Sequence, residues 1–371
     1  MVKGELLLNV GLLLEGQELE PKRNVHVEVR DGVITHIGPG FVSKALGVID
    51  LRTGVLMPPL VNAHLHVFDY AFQEAGLALP LEELVSWPHG LKHRLLRELT
   101  QRDLEEAALK VLSKLRSQGT YISLVFCELG VKGVSIARRA ALKASTQALL
   151  LGRPEGISDV ADVLAQANGL GIDSPIRYKP GELEAFRELC DVRGLLKATH
   201  IAEDRRTREL GDLEQALRHL QPNLVVHGVH LSSEDLSLLA ERGISLVVCP
   251  RSNMFFSAGL PPIVKALKAG VNLLLGTDNA GWIEPDMWRE LEVAYNVARL
   301  QGDVDPKIIL KAATVNVSAI GVKLAVSEGS RARFVVIDGS KLGIERTHNI
   351  YATIVKRGSE NKILFTFLKD C

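Results

Sequence analysis

Cysteine is scarce in this chain. Cys127, Cys190, Cys249 and Cys371 are scattered over 371 residues, which excludes a CxxC metal knuckle and a disulfide framework and fits a reducing cytoplasm. An excess of charge of one sign is missing too. The sequence carries 44 basic and 44 acidic residues without a dense Lys/Arg run, so nucleic acid and anionic membrane surfaces are not expected partners. No apolar stretch reaches the roughly 18 residues of a membrane span. The apolar opening from Glu5 to Leu14 lacks a small-residue cleavage site and meets Glu15-Gly16-Gln17-Glu18 at once, so it reads as paired strands rather than a signal-peptide core. The glycine-rich phosphate loops GxGxxG and GxxxxGK[ST] are absent, and so is a PCxxC zinc signature.

What is present is ordinary globular composition, 46% hydrophobic and 24% charged, enough for one large core and a small companion domain. Both ends look β-rich. Val25-His26-Val27-Glu28-Val29, the turn Asp31-Gly32 and Val33-Ile34-Thr35-His36-Ile37 form a hairpin pattern. In the tail, Phe334–Ile337 precedes Asp338-Gly339, and Tyr351–Val355 and Ile363–Phe367 read as further strands.

Between the ends, short apolar runs alternate with charged segments of helical period, the pattern of a buried parallel sheet with crossover helices. Eight strands are expected, near residues 56–66, 121–128, 147–153, 169–173, 196–203, 224–230, 245–250 and 272–278. Eight such units are the size of one (β/α)₈ barrel, whose reactive groups sit at the C-terminal strand ends. Four of these ends carry histidine or acid. The first ends in His64-Leu65-His66, where the period of two turns both imidazoles inward. His200, His227 and Asp278 end or nearly end the fifth, sixth and eighth, spaced by about one and then about two β/α units. Imidazole and carboxylate suit Zn²⁺ or Fe²⁺, and an open coordination position can activate water. Four core-facing polar groups with no ligand would be costly to bury.

Pro58-Pro59-Leu60-Val61-Asn62-Ala63-His64-Leu65-His66 resembles the opening motif of the amidohydrolase superfamily, and Thr199-His200-Ile201-Ala202-Glu203 resembles its fifth-strand motif in the cytosine deaminase and chlorohydrolase branch. Guanine deaminase and S-adenosylhomocysteine deaminase belong to that branch. Val226-His227-Gly228-Val229-His230-Leu231, Cys249-Pro250-Arg251-Ser252-Asn253 and Leu275-Gly276-Thr277-Asp278 extend the likeness over nearly the whole chain.

The resemblance implies an α/β fold: a (β/α)₈ TIM barrel over residues 56–322, with a small β-sandwich formed jointly by residues 1–55 and 323–371. It assigns one divalent ion, Zn²⁺ first and Fe²⁺ as the alternative, to His64, His66, His200 and Asp278. Glu203 would move protons, His227 would polarise the substrate or orient water, and Asp278 would accept the water's proton. His230 reads as a hydrogen-bonded structural histidine. His89, Arg153, Arg251 and Asn253 are candidate substrate contacts; Glu128 and Asp173 also fall near strand ends, and His93 shares with His89 the segment after the first strand, where a lid or pocket wall can form. A binuclear member would use a lysine at the end of strand four; Ile172-Asp173 stands there, with Lys179 six residues on in an expected loop. The expected reaction is deamination of an amino-substituted nucleobase or related heterocycle, a small-molecule substrate. Hydrolysis of a cyclic amide or other C–N bond is the alternative, and a catalytically silent binding module is the third reading. Self-association is left open.

Overall fold

The computed structural model describes residues 5–43, 47–86 and 88–368; Cys371, and Trp87 in the segment after the first barrel strand, lie outside the described residues. Strands β1 (Glu5–Glu15), β2 (Glu20–Arg30), β3 (Val33–Pro39) and β4 (Val48–Met57) come first. They are followed by β5 (Leu60–His66), β6 (Thr120–Cys127), β7 (Gln147–Gly152), β8 (Gly169–Ile172) and β9 (Leu196–Ile201). Next are β10 (Leu224–His227), β11 (Ser245–Val248), β12 (Leu273–Leu275) and β13 (Asp278–Asn279). Strands β14 (Phe334–Asp338) and β15 (Ile363–Phe367) follow near the end.

Strands β5 to β13 make one parallel sheet in the order β12-β11-β10-β9-β8-β7-β6-β5-β13. The last two are pieces of one strand, separated only by Gly276-Thr277, and the second piece pairs with the first strand of the sheet: Asp278 with Leu65 and Asn279 with His66. The sheet therefore curls until its ends meet. Every residue of β5 and β6 is buried, which explains why the strands read as unbroken apolar runs. Even the short Gly169–Ile172 run forms a strand, with β9 and β7 as its neighbours.

The two ends of the chain join in a second sheet of six strands, β15-β14-β4-β1-β2-β3. In β1, Leu8, Val10 and Leu13 belong to the sheet's own apolar cluster with Phe334 and Val336, whereas Leu12 and Leu14 enter the main core. The switch of parity between Val10 and Leu13 occurs around Gly11, where the pairing with β4 jumps from Val10 opposite Leu51 to Leu12 opposite Val55. A Cβ at Gly11 would lie 2.1 Å from the Arg52 carbonyl oxygen, so the close approach requires glycine.

Four local expectations are corrected. Residues 56–66 do not form one strand: Leu56 and Met57 pair with β14 in the six-stranded sheet, and Pro58-Pro59, which lack N–H donors, separate them from β5. The sixth barrel strand stops at His227 rather than His230. Tyr351–Val355 is not a strand but part of the helix Ile350–Arg357, whose Asn349 side chain accepts from the Ala352 N–H at 2.9 Å. A five-residue apolar run has no readable period, and the cap together with packing on the helix Met287–Gln301 decides the matter. Likewise Asp338-Gly339 opens a helix, Gly339–Leu342, and not a hairpin turn.

Gly276 has the clearest consequence for stability. A Cβ there would lie 2.7 Å from His64 Cβ and 2.8 Å from its backbone nitrogen. Gly276→Ala is expected to destabilise the protein by about 1–3 kcal/mol through overpacking, measured as a lowered midpoint of thermal unfolding.

Candidate active site

The curl of the sheet brings the ends of β5, β9, β10 and β13 to one point. One donor atom from each of His64, His200, His227 and Asp278 lies within 4.8 Å of the others. His66 sits beside them. Its Nε2 is 3.6 Å from Asp278 Oδ1, and its ring stacks on that of His200 at 5.6 Å. His227 and Asp278 have φ of 72° and 64°, and Ala202, just before Glu203, has φ of 50°. Non-glycine residues adopt this left-handed region at a cost, so the strain in this strip of backbone gathers where the strands deliver their polar groups.

His66, His200, His227 and Asp278 are each steered by a partner outside the cluster, whereas His64 is held from within it. His66 Nδ1 is 2.6 Å from Glu128 Oε1, and His200 Nδ1–H donates to the Ile172 carbonyl at 3.1 Å. These contacts leave the two Nε2 atoms turned toward the cluster, the arrangement that presents imidazole lone pairs to a metal. Ser252 Oγ–H donates to Asp278 Oδ2 at 2.6 Å, and the Asn253 amide donates to His227 Nδ1 at 3.0 Å. Both come from the helix Pro250–Phe255, which starts at the proline one residue beyond β11. His64 Nε2–H donates to Asp278 Oδ1 at 3.0 Å.

Burial sets the protonation of the group. It holds His64 well below the usual imidazole range and brings His200 to about 3 and His227 to about 4, so these rings are neutral. Burial would raise Asp278, but the hydrogen bond from His64 and the neighbouring imidazoles outweigh it and keep the carboxylate ionised. Glu203 goes the other way. Burial, reinforced by the charges of Asp278 and Asp204, lifts it to about 8, and its Oε2 stands 3.7 Å from His227 Nε2. Two carboxyl groups driven to opposite protonation states in one site is a pattern of acid and base roles.

The cluster forms the floor of a cleft, open to solvent, whose walls include Leu81, Val85, Lys92, His93, Asp173, Ser174, Arg177 and Glu203. Of the residues anticipated as substrate contacts, Asn253 is fully buried on His227. Arg153 is buried and ion-paired with Asp173 at 2.9 Å. Arg251 donates to the Glu284 carbonyl at 2.9 Å and meets Glu290 at 3.5 Å. His89 is exposed, and none of these four lines the cleft. Lys179 is exposed at the start of the helix Pro180–Arg193, also away from the cleft. His230 Nε2–H donates to the Ala258 carbonyl at 3.0 Å, a structural contact.

Sequence reading overlooked Lys92 and Asp69. Lys92, only 3% exposed, reaches Glu128 at 2.8 Å, Asp69 at 3.2 Å and Asn279 Oδ1 at 2.8 Å. A lone lysine on a helix has no pattern that announces burial. The part played by Ser252 was closer to hand, because it lies inside the Cys249–Asn253 motif.

With this geometry in view, comparison with known proteins is direct. The model of the amidohydrolase family matches residues 55–370. The chain belongs to the amidohydrolase family. A putative aminohydrolase of Methanothermobacter thermautotrophicus is 30% identical, covering 98% of both chains. A 5-methylthioadenosine/S-adenosylhomocysteine deaminase of Thermococcus onnurineus is 26% identical over 98% of this chain and 92% of its own. Among solved structures, an adenosine deaminase from Xanthomonas campestris with bound zinc superposes with a TM-score of 0.80 at 20% identity, covering 98% of this chain and 91% of that one. This amidohydrolase is therefore a hydrolase of carbon–nitrogen bonds whose described residues include a site for a divalent metal. No described helix is long and apolar enough to cross a membrane.

Loss of the Ser252 hydroxyl is expected to leave the fold intact while loosening Asp278. Ser252→Ala should lower metal affinity by about 10-fold or more, measured by competition with a chromophoric chelator.

Proposed function

We propose that this amidohydrolase removes ammonia from an amino-substituted nucleobase or related heterocycle, using a single divalent ion, zinc before iron. The carrying observation is that four neutral or anionic donor groups converge within 4.8 Å at the floor of a cleft that also holds Glu203. The residues fit such an ion. Neutral imidazoles and an ionised carboxylate are suitable zinc donors, and His227 Nε2, buried, has no hydrogen-bond partner among the described residues. Of the four converging groups, His64, His200 and Asp278 would hold the ion, joined by the adjacent His66, whose Nε2 is 3.6 Å from Asp278 Oδ1, while the orphaned Nε2 of His227 would face the reacting water. The exposed position of Lys179 favours one ion over a bridged pair.

When bound, the ion acidifies water toward neutral pH. Asp278 accepts the proton of the attacking water. Glu203, protonated at neutral pH, gives its proton to the ring nitrogen as water adds to the carbon bearing the exocyclic amine. His227 holds the oxygen of the adduct. Asp278 then returns a proton to the amine, which leaves as ammonia, and Glu203 regains a proton as the ring carbonyl forms. The named deaminase activities of relatives support the reaction class.

The architecture behind this reading is a closed (β/α)₈ barrel that begins at Leu60 and runs to about residue 322. The described residues of the two chain ends make one small β domain, a reading supported by their shared six-stranded sheet and its own apolar cluster.

Asp278→Asn is expected to reduce turnover by about 10³-fold or more with far-ultraviolet circular dichroism unchanged. Glu203→Gln should lose turnover but keep its metal, and elemental analysis of the purified protein should give close to one ion per chain. Ammonia release from a panel of amino-heterocycles, against ring opening of cyclic amides, decides the reaction. Opening of cyclic amides without any ammonia release would refute deamination. A Glu203→Gln protein that loses metal as fully as His200→Ala would make Glu203 a ligand instead.

A further inference from the structure

We infer that His26 and His36, on the small sheet and apart from the catalytic cluster, form a second site for a divalent ion of the imidazole-seeking kind, Zn²⁺, Cu²⁺ or Ni²⁺. Strands β2 and β3 pair so that His26 stands opposite Gly38 and Glu28 opposite His36. His26 and His36 are thus diagonal neighbours on one face, with ring centroids 5.5 Å apart.

Both rings are oriented by their Nδ1 atoms. His26 Nδ1–H donates to the Gly40 carbonyl at 3.0 Å. His36 Nδ1–H donates to Glu328 Oε1 at 3.0 Å, and the same carboxylate is pinned by the Ile37 N–H at 2.7 Å. Each imidazole therefore has its proton committed on one side and its Nε2 lone pair presented on the other. Carbonyl and carboxylate partners of this kind are what orient the histidines of metal sites.

The two Nε2 atoms converge over Gly38. A Cβ on residue 38 would lie 2.4 Å from His26 Nε2 and 2.8 Å from His36 Nε2. The φ of Gly38 is not positive, so the backbone does not call for glycine there. The absence of a side chain serves the rings instead, leaving them free to lean together over one small space. Zinc–imidazole bonds are about 2.0–2.1 Å long, and small rotations of two surface rings bring both nitrogens to an ion seated just outside Gly38. The His36 side chain is 52% exposed, so an ion has access, and water completes its coordination. Borderline ions prefer such nitrogen pairs, whereas Mg²⁺ and Ca²⁺ prefer oxygen.

The test uses the full chain already loaded with zinc in its catalytic site, titrated with Cu²⁺ and followed by electron paramagnetic resonance and by metal content. One further equivalent of copper should bind without displacing zinc, with hyperfine structure from two imidazole nitrogens. His26→Ala, His36→Ala and Gly38→Ala should each weaken that binding by about 10-fold or more, the last although it keeps both histidines. Circular dichroism and the unfolding midpoint without copper show that each variant is folded. Copper uptake only in exchange for zinc, or undiminished affinity in any of the three folded variants, overturns the site.

Discussion

The contact on which the catalytic arrangement depends is the pairing of Asp278 and Asn279 with Leu65 and His66. It joins the last strand of the parallel sheet to the first, more than 200 residues earlier in the chain. Only when that pairing forms does the acid of the final strand stand against the paired histidines of β5. Asn62 and Thr277 reinforce the seam, the Asn62 amide donating to the Thr277 hydroxyl at 2.7 Å and accepting the Thr277 N–H at 3.0 Å. Glycine at 276 lets the two strands come together at His64.

Around that seam the protein buries a large amount of potential charge. Lys92, Glu128, Asp69 and His66 form a chain in which each charged group has a partner. Burial would raise the Glu128 pKa, yet the Lys92 ammonium and the His66 ring keep it well below the usual carboxylate range. An ion pair so deep gives little net stability after desolvation, whereas removing one member leaves a costly unpaired charge. What the chain achieves is placement: Glu128 orients His66, and Lys92 holds Glu128. Farther round, Ser252 and Asn253 do the same for Asp278 and His227 from one helical turn. The floor of the cleft is thus fixed largely by Glu128, Ser252 and Asn253, none of which lines it.

Much of this was legible in one dimension. Alternating apolar runs and charged helical segments are a direct consequence of a sheet buried on both faces, so the strand count and the barrel-like wrapping could be read off. The His64-Leu65-His66 triplet, with Thr199–Glu203 and Leu275–Asp278, pointed to the strand ends where the cluster lies. Other parts were not readable. The helix Ile350–Arg357 has β-branched residues in a run too short to display a period, and its cap and packing partner decided against local preference. Arg153 and Arg251 looked available because charge at a strand end is ambiguous; their carboxylate and carbonyl partners lie 20 to 39 residues away.

The sequence by itself determined which groups could bind a metal and at what spacing they recur, because strand period and β/α unit length are local properties of the chain. It also determined the balance of charge and the absence of a disulfide framework. Tertiary structure decided the rest: that His227 shares the cluster with His64, His200 and Asp278, that Glu203 is desolvated enough to hold a proton near neutrality, and that Lys92 is buried rather than solvated. The physical reason is the same in each case. Proximity across the barrel and removal of water are properties of the assembled sheet, and neither is encoded at the position of the residue it changes.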